Sequence, residues 1–480
     1  MDKMRQVDAK PVSVLDTYPK VSESEVDALL KKEIEADDSR IIVLDDDPTG
    51  VQTVHDIYVY TDWSVENLKE GLLGSNKVFY ILTNSRGFTA DETKKVHEEI
   101  ARNIKQAAAE TKVPYVLISR SDSTLRGHFP LETKVLREGL EEAASPFDGE
   151  ILVPFFKEGG RFTIENVHYV KDGEQLTPAG QTEFAKDKTF GYQASDMRDY
   201  IEEKTKGEYK AEEVVCISLE DLRTMRVDKI KGQLLQVNGF GKVIVNAIDY
   251  CDIKVFCIAL YRAMKEGKHF MFRCAAGLVK VMGGITDKPL LTRDEMVLPK
   301  NENGGMIVIG SHTNKTTAQM EALKDLNGIE FVEFNSDLVL DEKLFEDEIQ
   351  RVVTLCEETM KTGSSVAVYT KRRLLTVEND TKEDALIRSV KISDGVQSLV
   401  GRLSIVPGFL IAKGGITSSD VGTKALKVKK ALVLGQIQPG IPVWKTGEES
   451  KFPGVSYVIF PGNVGDDKTL LRAVEILMKK

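Results

Sequence analysis

Short apolar runs of strand length recur along this chain of 480 residues, and helical stretches separate them. The first half contains IIVL (41–44), DIYVYT (56–61), KVFYILT (77–83) and YVLIS (115–119), with the long helical stretch DETKKVHEEIARNIKQAAAE before the last run. Continuous apolar strands that alternate with helices are typical of a parallel sheet covered on both faces. The sequence therefore predicts an α/β fold with largely parallel sheets.

The alternation breaks and then resumes, which predicts two domains. The polar stretch LLTRDEMVLPKNENGG (290–305) has the charges, proline and paired glycines of a linker. MIVIGS then opens a second α/β series. Because 480 residues exceed one hydrophobic core, we expect an N-terminal extension with a helix at 1–40, a first domain at 41–295 and a second at 305–480. Residues 154–192 show no period and are predicted to form loops, and we expect the active site in the interdomain cleft.

Composition excludes several classes of function. A net charge of -10 without a basic run disfavours nucleic-acid binding. No apolar run approaches the roughly 20 residues that span a bilayer, and the polar N-terminus does not resemble a signal peptide. We therefore expect a cytoplasmic protein with no membrane partner, and a homo-oligomer is compatible with the sequence. The five cysteines never form a C-x-x-C pair and are predicted to be reduced thiols.

Charged and hydroxyl side chains follow three of the apolar runs in the first half. The ligands of an open α/β sheet bind beyond the carboxyl ends of its strands, so we expect these residues to form one site. Arginine forks match carboxylates, and aspartates accept hydrogen bonds from hydroxyl groups, so the predicted ligand is a polyhydroxy acid. The candidates are Asp45, Asp46, Asp47, Thr83, Asn84, Ser85, Arg86, Arg120, Ser121, Asp122, Ser123 and Arg126.

Two simpler interpretations of these residues stay open. The three aspartates could form a solvated turn in which one of them caps the next segment. The arginines could also pair with Asp45–Asp47 and Asp122 in a self-contained ion network. Arg161, in the loop-like sequence GGRFT, is a further candidate for the substrate site because the adjacent glycines would let backbone approach a ligand.

The second domain has glycine turns after three of its apolar runs. Gly310 and Ser311 precede HTNKTTAQ, Gly414 and Gly415 precede Ile416 and Thr417, and Gly462 and Gly465 follow SYVIF. Such turns on one sheet edge resemble a phosphate cradle, although they could equally be ordinary strand-to-helix turns. A Walker loop is absent because Asn314, not glycine, precedes Lys315.

The chain resembles the four-carbon acid sugar kinase family in the order and spacing of several motifs. These are VLDDDPTG, ILTNSRG, SRSDSTLRG, PFFKEGGRFT, GSHTNKTTAQ and KGGITSSDVG, which together extend over nearly the whole chain. The resemblance implies an N-terminal domain that binds a sugar acid and a C-terminal domain that binds ATP. It implies acid contacts at Asp45, Asp46, Arg86, Ser121, Asp122 and Arg126, and ATP contacts at Ser311, Gly414 through Thr417, and Gly462. Ile416 and Phe460-Pro461 depart from residues that family members often carry.

The resulting hypothesis is an ATP- and Mg²⁺-dependent kinase that phosphorylates the terminal hydroxyl of a threonate, an erythronate or a 3-oxo-tetronate. Asp45 or Asp46 would act as base, with Arg86 and Arg126 clamping the substrate carboxylate. Two alternatives remain. VLDDDPT and ILTNS mimic motifs of haloacid dehalogenase phosphatases, although an acidic metal motif is lacking nearby. The departures at Ile416 and Phe460 would suit a non-catalytic sugar-acid sensor with a degenerate nucleotide site.

Overall fold

The protein folds into two compact units that do not follow each other simply along the chain. The structure, a computed structural model, describes residues 5–141, 146–298, 301–373, 375–377, 380–462 and 464–478. The N-terminal unit comprises the chain up to Gly50 together with Asp62–Asp287. The C-terminal unit comprises Val51–Thr61 together with the chain from Lys288 onward.

The elements alternate between strands and helices as expected of an α/β protein. The strands are β1 (Lys10–Pro11), β2 (Arg40–Asp45), β3 (Ile57–Tyr60), β4 (Val78–Leu82), β5 (Tyr115–Arg120), β6 (Gly149–Val153), β7 (Arg161–Ile164), β8 (Val167–Asp172), β9 (Gln175–Pro178), β10 (Val215–Ile217), β11 (Gly241–Val245), β12 (Phe270–Cys274), β13 (Met306–Ile309), β14 (Ile329–Phe334), β15 (Ser365–Thr370), β16 (Leu410–Lys413), β17 (Lys430–Gln438), β18 (Ile441–Thr446) and β19 (Ser456–Phe460). The helices are α1 (Glu23–Glu35), α2 (Val65–Leu73), α3 (Ala90–Thr111), α4 (Leu131–Glu141), α5 (Met197–Lys204), α6 (Leu219–Arg223), α7 (Val227–Gln236), α8 (Tyr250–Lys265), α9 (Ala276–Met282), α10 (Arg293–Met296), α11 (Asn314–Leu323), α12 (Glu342–Lys361), α13 (Lys382–Gly401), α14 (Gly415–Asp420) and α15 (Thr469–Met478).

A parallel sheet forms the core of the N-terminal unit. Its strand order is β10-β11-β6-β12-β5-β2-β4, and every neighbouring pair runs parallel. The central strands are apolar on both faces because helices cover both sides of such a sheet. Residues 41–45 of β2 are all buried, for example. The predicted parallel α/β fold is therefore confirmed.

A second, antiparallel sheet in this unit overturns the prediction of loops at residues 154–192. Its order is β1-β9-β8-β7, so part of the N-terminal extension also forms a strand. The turn between β7 and β8 is closed by Glu165 and Asn166, which both have positive φ angles (51° and 70°). Two positive φ angles suit a tight hairpin, yet Glu-Asn lacks the glycine that usually marks one in a sequence. The extension also contributes α1, where Glu33 pairs with Arg262 of α8.

The C-terminal unit has a mixed sheet in the order β3-β17-β18-β19-β16-β13-β15-β14. The last five strands run parallel, and the pairs β3-β17, β17-β18 and β18-β19 are antiparallel. The sequence interpretation did not identify β18, and it assigned residues 56–61 to the first domain. The predicted linker also differs, since Leu291 and Met296 are buried in the core of this unit. Their apolar side chains explain why the segment packs instead of remaining free.

The remaining expectations from composition concern membranes and thiols. None of the described helices combines the length and apolar character that crossing a bilayer requires. All five cysteines are free, and four of them are buried. Burial raises the pKa of Cys274 to about 12, which is typical of an unreactive structural thiol.

Candidate functional site

The carboxyl ends of β2, β4 and β5 meet at one edge of the N-terminal sheet. Asp45, the last residue of β2, is in register with Leu82 of β4 and Arg120 of β5. Backbone hydrogen bonds continue past the strands, from Thr83 N to Asp45 O at 2.8 Å and from Asp46 N to Arg120 O at 3.3 Å. The side chains that follow the three strands are therefore held close together, as their positions in the sequence predict.

The arginines at this edge bind the aspartates directly. Arg86 donates to both carboxylate oxygens of Asp46, from Nε at 3.1 Å and from Nη2 at 2.5 Å. Its Nη1 reaches Asp47 Oδ2 at 3.1 Å. Arg120 Nη1 donates to Asp45 Oδ1 at 3.1 Å. This geometry corresponds to the ion network that the sequence left open, so Arg86 is already engaged before any substrate carboxylate binds.

Burial gives the three adjacent aspartates different proton affinities. Asp45 is 1% exposed, and burial raises its pKa to about 7 against the lowering effect of Arg120. Burial also raises the pKa of Asp46, although Arg86 acts in the opposite direction. At Asp47 burial is outweighed by Arg86 and by hydrogen bonds from Thr49, so the pKa falls. Asp45 is thus the carboxylate best suited to exchange a proton near neutral pH.

The segment after β5 adds a second charged pair. Arg126 Nε donates to Asp122 Oδ2 at 2.7 Å and to Thr124 Oγ1 at 3.1 Å. Burial opposes ionisation of Asp122, but Arg126 and Arg86 prevail and hold its pKa well below the usual range. Ser121 and Ser123 are buried beside it, where Ser121 N donates to Cys274 O and Ser123 O accepts from His168 Nε2.

Arg161 differs from the other arginines because it has no acidic partner. It begins β7 in the antiparallel sheet, and among the described residues no carboxylate pairs with it. Its buried Nε has no hydrogen-bond partner there either. Its guanidinium carbon lies 5.7 Å from the centre of the Phe184 ring, and that of Arg126 lies 5.1 Å from the same ring. Burial lowers the pKa of Arg161, and the opposing effect of the Asp122 charge does not outweigh it.

Two charged residues that the sequence interpretation missed support this edge. Arg273, near the end of β12, donates from Nη1 to Glu132 Oε2 at 2.8 Å, and Ser85 Oγ donates to Glu132 Oε1 at 2.6 Å. Gly127, at a φ of 118°, leaves room there: a Cβ atom would lie 3.0 Å from Arg273 Nη2 and 3.3 Å from Asp46 Oδ2. The signal that could have identified Arg273 is its place near the end of the apolar run FMFRC.

The three glycine turns of the C-terminal unit lie together, at the ends of the adjacent parallel strands β13, β16 and β19. A Cβ atom on Gly310 would lie 2.2 Å from Thr417 Oγ1, and one on Gly414 would lie 3.2 Å from the Cβ of Ser311. Nothing within 4 Å would meet a Cβ on Gly462. Ile416 is 70% exposed beside these turns. The candidates Ser311, Gly414, Gly415, Ile416, Thr417, Gly462 and Gly465 therefore share one sheet edge.

Three cations at these turns lack acidic partners within the described part of the chain. Lys315 Nζ donates to Gly465 O at 3.1 Å. Arg372 Nη1 donates to Ser311 O at 2.7 Å. Lys413 Nζ donates to Pro461 O at 2.7 Å. All three of these bonds end on backbone carbonyls, so none of them neutralises a positive charge. The sequence interpretation missed Arg372 and Lys413 and discounted Lys315.

The protein thus combines, in separate units, an edge of arginines and carboxylates suited to a hydroxy acid and a cationic glycine-turn edge suited to phosphate. A family model described as "Sugar-binding N-terminal domain" matches residues 41–282, and one described as "Nucleotide-binding C-terminal domain" matches residues 306–470. The chain belongs to the family that combines these two domains, the four-carbon acid sugar kinase or DUF1537 family.

Two solved structures share this fold at low sequence identity, and a third is similar to this chain with a lower TM-score. A DUF1537-family protein of Haemophilus influenzae is 17% identical, with a TM-score of 0.58 over 91% of this chain and 100% of that chain. A protein of Salmonella typhimurium described as a putative tRNA synthase is 14% identical, with a TM-score of 0.64 over 90% and 98%. A DUF1537 domain from Bordetella bronchiseptica, a domain-swapped dimer with bound citrate, is 17% identical, with a TM-score of 0.38 over 92% and 99%. Among curated proteins, none matches this chain.

Proposed function

We propose that the protein is an ATP-dependent kinase that phosphorylates a hydroxyl group of a four-carbon sugar acid, of the threonate, erythronate or 3-oxo-tetronate type. The observation that carries the proposal is the buried Asp45, whose pKa of about 7 suits a general base, within an edge of arginines and carboxylates. The family's sugar-binding and nucleotide-binding domains agree with this activity.

The acid group of the substrate would bind Arg161. This assignment replaces a clamp of Arg86 and Arg126, because those two guanidiniums already bind Asp46, Asp47 and Asp122. A guanidinium without a partner offers its full set of donors to a carboxylate. The hydroxyl groups would then face the carboxylates of the edge, together with Ser121 and Ser123.

Asp45 would accept the proton of the attacking hydroxyl, and Asp46 would orient that hydroxyl. Asp46 is fixed by the two bonds from Arg86, whereas Asp45 accepts one bond from Arg120 and a longer one, at 3.4 Å, from Asp47 N. A base with a pKa near the working pH is ionised often enough to act and basic enough to take the proton.

The nucleotide phosphates would bind the glycine turns and the cations Lys315 and Arg372, with the buried Lys413 close by. Within the described residues, no three His, Cys, Asp or Glu side chains are grouped so that they could hold a metal ion. Mg²⁺ usually keeps several waters and binds through substrate phosphates plus one or two carboxylates, so the residues fit an ion that arrives with ATP. When bound, Mg²⁺ offsets the charge on the phosphate oxygens.

The test is a screen for ADP release by the purified protein with Mg-ATP across four-carbon sugar acids and their oxo derivatives, with mass spectrometry of the product. We expect one acid to yield a phosphorylated acid and an equal amount of ADP. Acid binding without ADP release would favour the sensor, and phosphate release from a phosphorylated acid without ATP would favour the phosphatase. Either result would overturn the proposal.

A further inference from the structure

Lys413 is a fully buried lysine at the carboxyl end of β16. It is in register with Ile309 of β13 and Phe460 of β19, on either side. Neither of those strands, with sequences MIVI and SYVIF, carries a charged residue. A lysine at this position is unusual because lysine is almost never fully buried unless it is paired.

The ammonium group of Lys413 joins two of the glycine turns. Lys413 directly precedes Gly414, and its Nζ donates to Pro461 O at 2.7 Å and lies 3.4 Å from Gly462 O. The same Nζ lies 4.5 Å from the centre of the Phe460 ring. These contacts fix the Gly462 turn against the end of β16. They also explain the aromatic residue at 460, which presents its ring to the buried cation.

The charged groups around Lys413 do not neutralise it. Lys315, on α11, is the group that acts on it electrostatically, and it carries the same charge. Asp420 of α14 is bound by Ser393 and Lys424, and Asp466, after the Gly465 turn, is bound by Arg472. A buried ammonium without a carboxylate is costly in free energy. Burial, and then Lys315, lower the pKa of Lys413 to about 7.

We propose that Lys413 is a positioning residue for the nucleotide, which fixes the Gly414 and Gly462 turns and takes up a proton when the nucleotide phosphates bind beside it. The inference rests on the proposed function in that it requires nucleotide binding to the C-terminal unit. Bound phosphates supply the negative charge that the surroundings of Lys413 lack, and an opposite charge within a few ångströms favours the charged form of a lysine. Nucleotide affinity and protonation of Lys413 are therefore linked.

Isothermal titration calorimetry on the 480-residue chain measures this linkage. ATP is titrated in two buffers of different ionisation enthalpy, at about pH 6 and at about pH 8. Because the free lysine is mostly charged below its pKa and mostly neutral above it, we expect little proton uptake at about pH 6 and most of one proton at about pH 8. Lys413→Met should bind ATP more weakly and take up no such proton. Lys445→Met, at an exposed position on β18, should behave as the wild type.

A second variant separates protonation from folding. Lys413→Arg keeps a charge at every accessible pH, so it should bind ATP without proton uptake. The wild-type measurement in two buffers also stands without any variant. ATP binding by the wild type with equal heats in both buffers at about pH 8 would overturn the inference and leave the kinase proposal intact. Failure of the wild type to bind any nucleotide would overturn both.

Discussion

The guanidinium of Arg161 lies 5.7 Å from the centre of the Phe184 ring, and no carboxylate among the described residues pairs with it. Phe184 belongs to the segment after β9, which the antiparallel sheet attaches to the N-terminal unit. The ring faces the cation without consuming its hydrogen-bond donors, so those donors stay available to a ligand.

Replacement of Arg161 by methionine should abolish tight binding of the acid without destabilising the protein. Loss of a charge-assisted contact of about 2–3 kcal/mol predicts that the KM for the sugar acid rises about 30- to 150-fold. Because this partly buried cation has no carboxylate partner among the described residues, its removal should leave the thermal midpoint unchanged or raise it. Steady-state kinetics and thermal unfolding test both points, with Arg102→Met, at an exposed position on α3, as control. A lowered midpoint with unchanged KM would contradict the assignment.

Replacement of Asp45 by asparagine should remove the general base. We expect kcat to fall by about 100- to 10,000-fold with little change in acid binding. In the wild type, kcat/KM should rise with pH and level off above about 7, because the carboxyl must be ionised to act. Asp228→Asn, an exposed site in the same unit, is the matched control. A pH profile of the wild type that is flat between about 5 and 8 would exclude Asp45 from this role.

The same carboxyl predicts how stability depends on pH. Burial raises the pKa of Asp45 in the folded state above its unfolded value, so the folded protein binds the proton more tightly. This contribution to the free energy of unfolding is present in full below about pH 4 and is lost as pH rises to about 7. Chemical denaturation across that range should show a steeper loss for the wild type than for Asp45→Asn. Identical slopes would contradict the raised pKa.

Replacement of Phe184 by leucine should affect the acid and not the nucleotide. The ring faces both Arg126 and Arg161, and a cation–π contact contributes about 0.5–2 kcal/mol. The KM for the acid should rise about 2- to 30-fold, while the affinity for ATP stays the same. Phe147→Leu, at the amino-terminal side of β6 and far from the site in the fold, serves as the control. Equal effects of the two substitutions would mean that Phe184 acts only on stability.

Replacement of Ile416 by alanine tests the nucleotide edge. An apolar side chain that is 70% exposed beside the glycine turns can pack on a bound nucleotide, and its truncation would lose that buried area. We expect the Kd for ATP to rise about 3- to 10-fold without a change in the thermal midpoint. Leu344→Ala on α12, another exposed apolar position, should leave the Kd unchanged. An unaltered Kd in Ile416→Ala would separate Ile416 from the nucleotide.

The sequence predicted which residues share the sheet edge better than it predicted the hydrogen-bond partners of those residues. In a parallel sheet the ends of neighbouring strands share one edge, so Asp45, Arg86 and Arg120 could be grouped from strand positions alone. Which arginine keeps its charge free depends on distances that strand positions do not determine. Arg86 turned out to be paired and Arg161 to be unpaired, although the roles assigned to both remain proposals.

The sequence interpretation missed residues whose hydrogen-bond partners lie far away along the chain. Arg273 meets Glu132 across 141 positions, and Lys413 meets Pro461 across 48. Such pairings depend on strand order, which a single sequence leaves open. The antiparallel sheet was missed because β7 and β9 have only four residues each and the turn between β7 and β8, at Glu165 and Asn166, lacks a glycine. The signal that could have revealed it is Asp172-Gly173, which turns the chain between β8 and β9.

Residues 51–61 belong to the C-terminal unit, although the chain on both sides of them belongs to the N-terminal unit. This limits how the protein can be divided into fragments. β3 pairs with β17 of the C-terminal unit, although the chain returns to the N-terminal unit directly afterwards. A fragment truncated at Asp287 would therefore carry β3 without its partner β17, and one started at Lys288 would expose the edge of β17. Unprotected strand edges recruit other chains and promote aggregation. Production of the N-terminal unit alone would require removal of the eleven residues 51–61, and production of the C-terminal unit alone would require that they be joined to the chain from Lys288 onward.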